Sequence, residues 1–335
     1  MSRVVAEIVD SDGHIFEQDD DIRPYFGAKY GSSGPGRSYF FPDLDGWRRG
    51  GRDVHDDPAS WLRFLDTAEI SAAVIYPTAG LGFGFGRDAA WAVELSRAYN
   101  DFMADKYLKA SPRLKPIAIL PVQDPLAAAH ELRRAVEELG LVGGLLPAAG
   151  LRHPYGDPAF EPLYREADAL GTVLAIHGAP RRGVGVDFFD DPNQAFILAH
   201  PYSLMTQFTS MACEGVFARF PRMKVAFLEA GCGWVPYLIE RIDRRMVARG
   251  NGPLASEQVR DCPIYFHAEL EEKEVLPLAV SVVGDDRFLY ATDFPHESAE
   301  TASRALQSFL NRDDVSQSTK QKILCDNVKA MYGLK

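Results

Sequence analysis

At 335 residues, 46% apolar and 25% charged, the chain has the composition of a globular protein able to bury a large core. A net charge of -11 argues against a nucleic-acid backbone as partner, and the absence of an apolar run of about 18 residues argues against a membrane span. The four cysteines, Cys213, Cys232, Cys262 and Cys325, form no C-x-x-C pair, which excludes a thiolate metal cluster and fits a reducing compartment. With no signal-like order at the N-terminus, a cytoplasmic location is expected. The basic doublets Arg48-Arg49 and Arg244-Arg245 read as solvated surface.

The first apolar run, 4–9, predicts a strand that ends at Asp12-Gly13-His14. Residues two apart in a strand share a face, so Asp12 and His14 converge, with metal-ligand spacing. A segment over 15–57, rich in Gly, Pro and aromatic residues, follows. It reads either as a lid or as a surface excursion packing its own rings. A helix is expected over 58–68 and a buried strand over 72–76. Gly80-Leu81-Gly82-Phe83-Gly84-Phe85-Gly86-Arg87 lacks the context of a nucleotide loop and is expected to be a mobile loop bringing Phe83 and Phe85 to a ligand.

From there helices (88–108, 125–139, 158–170, 196–220, 235–249, 273–283) alternate with strands (114–120, 142–146, 172–176, 224–228, 264–266, 288–291). Two more helices, 298–310 and 316–331, end the chain. Short apolar strands between amphipathic helices predict a parallel sheet, and eight such units predict one (β/α)8 TIM barrel over 1–335. The long insertion after the first strand and the extra C-terminal helices are additions to that barrel.

In such a barrel the site lies at the carboxyl ends of the strands. There stand Asp12 and His14, His177, Glu229, His267 and Asp293, each closing an apolar run. A lone histidine after a strand is more often a hydrogen-bonded loop residue than a ligand; the recurrence is what points to a catalytic metal. His55, His130 and His153 read as surface.

These residues resemble the amidohydrolase-related branch of the amidohydrolase superfamily, which holds decarboxylases and C–C bond hydrolases. The resemblance rests on Asp12-Gly13-His14, on His177, and on Phe227-Leu228-Glu229-Ala230-Gly231-Cys232-Gly233-Trp234-Val235-Pro236-Tyr237 with Arg241 and Asp243. It extends to Ala291-Thr292-Asp293-Phe294-Pro295-His296 and to the final helix. It implies one divalent metal held by Asp12, His14, His177 and Asp293, with Zn²⁺ expected ahead of Mn²⁺ for two imidazoles and two carboxylates. Asp-x-His replaces the usual His-x-His, and Glu229 stands where decarboxylase relatives often carry a proton-handling His.

Glu229 as an ionised base for water makes hydrolysis of a small aromatic or ring-cleaved carboxylic acid the first expectation, with decarboxylation the alternative. A metal-free glycosidase-like barrel using Glu229 and Glu269, and a noncatalytic binding barrel, rank behind these. His200 and His296 are further catalytic candidates, and His267, Phe83 and Phe85 substrate-binding ones. By the resemblance, Arg241 reaches the substrate of a neighbouring subunit, which implies a homodimer or higher homo-oligomer.

Overall fold

The computed structural model describes residues 5–30, 34–37, 39–42, 57–178, 183–250 and 252–335. Its strands are β1 (Val9–Ile15), β2 (Ala72–Pro77), β3 (Leu114–Pro116), β4 (Ala118–Ile119), β5 (Gly143–Pro147), β6 (Val173–His177), β7 (Lys224–Leu228), β8 (Ile264–His267) and β9 (Phe288–Leu289). All pairings are parallel, β1-β2-β3 in one run and β4 through β9 in the other. β3 and β4 are one interrupted strand, because Pro116 has no N–H to give a ladder. Ile117 N donating to Ile75 O and Val142 N to Pro116 O carry the pairing across the gap. Ser11 N donates to Tyr290 O, Asp293 N to Asp12 O and His14 N to Phe294 O, joining the first strand to the end of the last. The expected (β/α)8 architecture follows.

Around the strands lie α1 (Asp19–Ile22), α2 (Pro58–Thr67), α3 (Ala89–Met103), α4 (Pro125–Arg133), α5 (Glu161–Leu170), α6 (Pro192–Cys213), α7 (Val216–Arg219) and α8 (Trp234–Arg249). Then come α9 (Ala255–Asp261), α10 (Val275–Val283), α11 (Ala299–Leu310), α12 (Gln317–Gln321) and α13 (Asn327–Tyr332). Asp-Pro starts recur: the Asp57, Asp124 and Asp191 side chains accept N–H groups at the starts of α2, α4 and α6, each followed by a proline that needs no donor there.

Several expectations are corrected. β1 is Val9–Ile15 rather than 4–9, so Asp12 and His14 lie inside the strand; a register shift between Asp10 and Gly13 marks a bulge. The strand is polar because that face serves the site, which hid it from an apolar pattern. Residues 79–85 are a 3-10 helix rather than a mobile loop, and Phe83 is core, packed on Phe41 with ring centroids 5.8 Å apart. Phe85 is half-buried against Gly150 and Gly183. The helix expected over 196–220 starts at Pro192 and is split at Gly215, whose φ of 62° breaks it. α9 was not foreseen.

Within the described part of 15–57, Phe26 stacks on Trp91 of α3 at 5.2 Å and Phe40 meets the same ring, so the segment packs its rings onto the barrel wall. Trp47, the Arg48-Arg49 doublet and His55 lie outside the described residues. His130 and His153 are exposed, as expected.

Candidate active site

β1 delivers both Asp12 and His14 to one point. His14 Nε2 lies 3.6 Å from Asp12 Oδ1 and 3.4 Å from Asp293 Oδ1, and His177 Nε2 lies 3.1 Å from Asp12 Oδ2. The structure thus brings together all four residues expected to hold a metal. Asp12, His14 and His177 form a buried set whose donor atoms could hold one ion; His14, Asp293 and His296 form a second set sharing His14.

The donors are turned inward by groups behind them. His14 Nδ1 is 3.1 Å from Pro77 O and His177 Nδ1 is 3.0 Å from Gly178 O. A carbonyl only accepts, so each Nδ1 carries the hydrogen and each Nε2 presents its lone pair to the cluster. Asp12 Oδ1, His14 Nε2 and His177 Nε2 are buried with no hydrogen-bond partner, a costly arrangement that a cation resolves. The residues present fit a divalent metal.

The two imidazoles are shifted in opposite directions. Burial, with His296 and His177 nearby, holds His14 well below the usual imidazole range, keeping it neutral. Burial alone would lower His177 too, but the Asp12 carboxylate, with Glu229 beyond it, raises it to about 10, so without a cation its Nε2 holds a proton against Asp12, and a bound metal would take that proton's place. Burial drives Glu229 well above the carboxylate range, with Asp293, Asp12 and Glu269 adding to it and His177 opposing.

Glu229 and Asp293 both sit at positive φ, 64° and 54°. For residues with a Cβ that conformation costs on the order of 1 kcal/mol, and among the described non-glycine residues it occurs at these two beside the cluster and at Glu69 before β2. Glu229 Oε2 is 3.3 Å from His177 Nδ1 and Oε1 is 3.6 Å from His200 Nδ1 on α6. His267 is buried beside it, and its Nδ1 accepts the Glu229 N–H at 3.2 Å. A cavity of about 560 Å³ opens from this point, lined by His200, Glu229, His267, Glu269 and Asp293 among others.

The remaining candidates fall elsewhere. His296 stacks on His14 at 4.1 Å and binds Asp293 Oδ1 (2.8 Å) and Thr78 Oγ1 (2.8 Å), so it orients a donor instead of lining the cavity. Phe83 and Phe85 do not line the cavity, since the 3-10 turn packs Phe83 into the core. Arg241 is on the exposed face of α8 beside a groove with Thr209 and Leu238, outside this subunit's cavity. Asp243 caps α9, accepting from Ala255 N at 2.6 Å. The Gly231-Cys232-Gly233 turn is held by Glu272: its carboxylate accepts from Cys232 N (3.0 Å), Gly233 N (3.3 Å) and Glu269 N (3.2 Å).

Sequence reasoning also passed over Asp10. Fully buried, it accepts from Thr292 Oγ1 (2.5 Å), Thr292 N (3.0 Å) and Asp12 N (3.1 Å), which clamps the two strands bearing Asp12 and Asp293. Burial pushes its carboxyl up to about 7 against those hydrogen bonds. Its place two residues before Asp12 was the available signal.

A parallel barrel with an imidazole–carboxylate cluster at its strand ends defines the (β/α)8-barrel enzymes that work around a metal. Within that class, the family model for amidohydrolases matches residues 9–334, and the chain belongs to that family. It is similar to the 2-amino-3-carboxymuconate-6-semialdehyde decarboxylase of Dictyostelium discoideum, 26% identical over 283 residues, spanning 83% of this chain and 77% of the relative. It is similar also to the gamma-resorcylate decarboxylase of Polaromonas sp. (strain JS666), 27% identical over 314 residues, 88% of this chain and 93% of the relative. The solved structure of a dihydroxybenzoic acid decarboxylase from Polaromonas sp. JS666, with bound manganese and an inhibitor, shares the fold at a TM-score of 0.73 and 23% identity, covering 98% and 97% of the two chains. Among the described residues no helix is long and apolar enough to cross a membrane.

Proposed function

We propose that this chain is a metal-dependent, non-oxidative decarboxylase of a small carboxylic acid with a ring or conjugated chain, a reading the decarboxylase relatives support over the hydrolase expected from sequence. Asp12, His14, His177 and Asp293 hold one divalent cation; Mn²⁺ moves ahead of Zn²⁺, since the carboxylate oxygens suit it and a related structure contains it. Such a cation supplies positive charge for the substrate's carboxylate and neighbouring oxygen. The pairing of His200 with Glu229 carries the reading. Loss of CO₂ leaves a carbon that must take up a proton, and decarboxylation seemed disfavoured only because a carboxylate ends β7. The α6 helix brings to that carboxylate an imidazole, the side-chain type that exchanges protons near neutral pH, and both groups line the cavity.

Metal-loaded protein offered hydroxybenzoic and dienoic acids should release CO₂, and His200→Asn should lose roughly 10²-fold in kcat while keeping its metal. Substrate consumption without CO₂ but with incorporation of labelled water would overturn this in favour of hydrolysis. One observation favours that second reading: Glu229 Oε2 is buried without a hydrogen-bond partner beside His177, where a base for water would stand. The balance of two variants then separates the readings: under hydrolysis Glu229→Gln loses the base and is the more damaging, whereas under decarboxylation His200→Asn is. A substrate grip by Arg241 requires a second copy of the chain. Arg241→Lys should raise KM in a dimer, because the bidentate fork is lost, and a fully active monomer would refute the grip.

A further inference from the structure

The cavity differs in chemistry between its two ends. Near the cluster stand His200, Glu229 and Asp293, all partly shielded; on the solvent side stand Glu271 and Glu297 with Glu269, whose carboxylate is close enough to the cluster to act on Glu229. Among the described residues no Lys or Arg lines this cavity, and none of the three mouth carboxylates is ion-paired. Partial loss of water around the carboxyl, with Glu272, Glu271 and Asp293 nearby, raises Glu269 against the pull of His267. The loop cannot simply carry Glu269 away, since its N–H is bound to Glu272. A second feature is independent of these charges: Tyr290 lines the same cavity, is 1% exposed, and its hydroxyl has no hydrogen-bond partner. A buried phenol is seldom left unpaired unless a ligand completes it.

A second carboxylate on the substrate would meet like charge at this end, whereas a protonated amine would meet charge-assisted acceptors. We infer that the acid taken by this site also carries an ammonium or amine group at the end remote from its reacting carboxylate, received by Glu269, Glu271 and Glu297 with the Tyr290 oxygen accepting a further N–H. This inference rests on the proposed decarboxylase reading, in which the reacting carboxylate lies at the cluster.

The test compares three acids that differ only opposite the carboxylate: 4-(aminomethyl)-2-hydroxybenzoate, 4-methyl-2-hydroxybenzoate and 2-hydroxyterephthalate. Their binding to manganese-loaded protein is measured by calorimetry. The aminomethyl acid should bind about tenfold or more tightly than either of the others. That ratio should collapse in Glu269→Gln/Glu271→Gln and shrink in Glu297→Gln, substitutions at exposed positions that remove mutual repulsion and so do not threaten folding. Equal or tighter binding of the terephthalate overturns the inference and leaves the proposed function standing. Binding by none of the three overturns both. A ratio unchanged by the substitutions, with dimerisation weakened instead, shows that Arg241 of a second copy is what the mouth carboxylates receive, and also overturns it.

Discussion

Gly13→Ala tests whether the metal strand is positioned by packing from outside the barrel. A Cβ at Gly13 would lie 2.1 Å from Trp61 Cη2 and 2.8 Å from Cζ2. Trp61 is fully buried and its Nε1 donates to His14 O at 3.1 Å, so the ring cannot retreat without giving up that bond. Overpacking costs about 1–3 kcal/mol and a buried hydrogen bond about 1 kcal/mol, so a loss of roughly 2–4 kcal/mol is expected. Because Asp12 and His14 flank Gly13, a displaced strand should also weaken Mn²⁺ binding by about 10–100-fold, as loss of support behind a ligand does. Trp61→Phe alone costs its hydrogen bond and some packing, yet makes room for the new methyl group. The double variant should therefore be more stable than the sum of the singles predicts by about 1–3 kcal/mol. Urea denaturation of the four chelated proteins and Mn²⁺ titration measure both effects. Additivity within about 0.5 kcal/mol, or an unchanged midpoint for Gly13→Ala, would refute the packing argument.

Three further outcomes are expected. His177→Ala and Asp293→Ala should each lower metal content measured after dialysis, and stoichiometric, tightly held metal in both would rule out the ligand set. Glu272→Gln weakens the charge-assisted acceptor shared by Cys232, Gly233 and Glu269 and should cost about 1–3 kcal/mol in urea denaturation, while an unchanged midpoint would show that the turn holds itself. Burial and the Glu272 carboxylate drive the Cys232 thiol far above its usual range, so it stays protonated at pH 8, and only the half-buried Cys213 among the four free thiols should react readily with a disulfide reagent in the native protein; four fast thiols before denaturation would contradict this.

The barrel, and the polar residues that gather at its carboxyl end, are legible in the chain itself. Strands buried on both faces read as unbroken apolar runs, and a polar donor at the end of such a run stands out, as His177, Glu229 and Asp293 do, whereas Asp12 and His14 lie inside a polar strand that the pattern placed too early. Tertiary structure alone decided how those donors are held and which neighbours they meet. Local periodicity assigns a residue to a face but does not say what packs there. Phe83 belongs to the core because Phe41, from a distant segment, covers it, and Arg241 stays on the surface because among the described residues nothing closes over that face of α8. Asp10 becomes a clamp only because Thr292 arrives from the far end of the chain, and Glu272 supports the β7 turn from beyond β8. The His200–Glu229 pair arises in the same way: α6 follows β6, yet its His200 meets the carboxylate at the end of β7, an approach that no residue spacing announces.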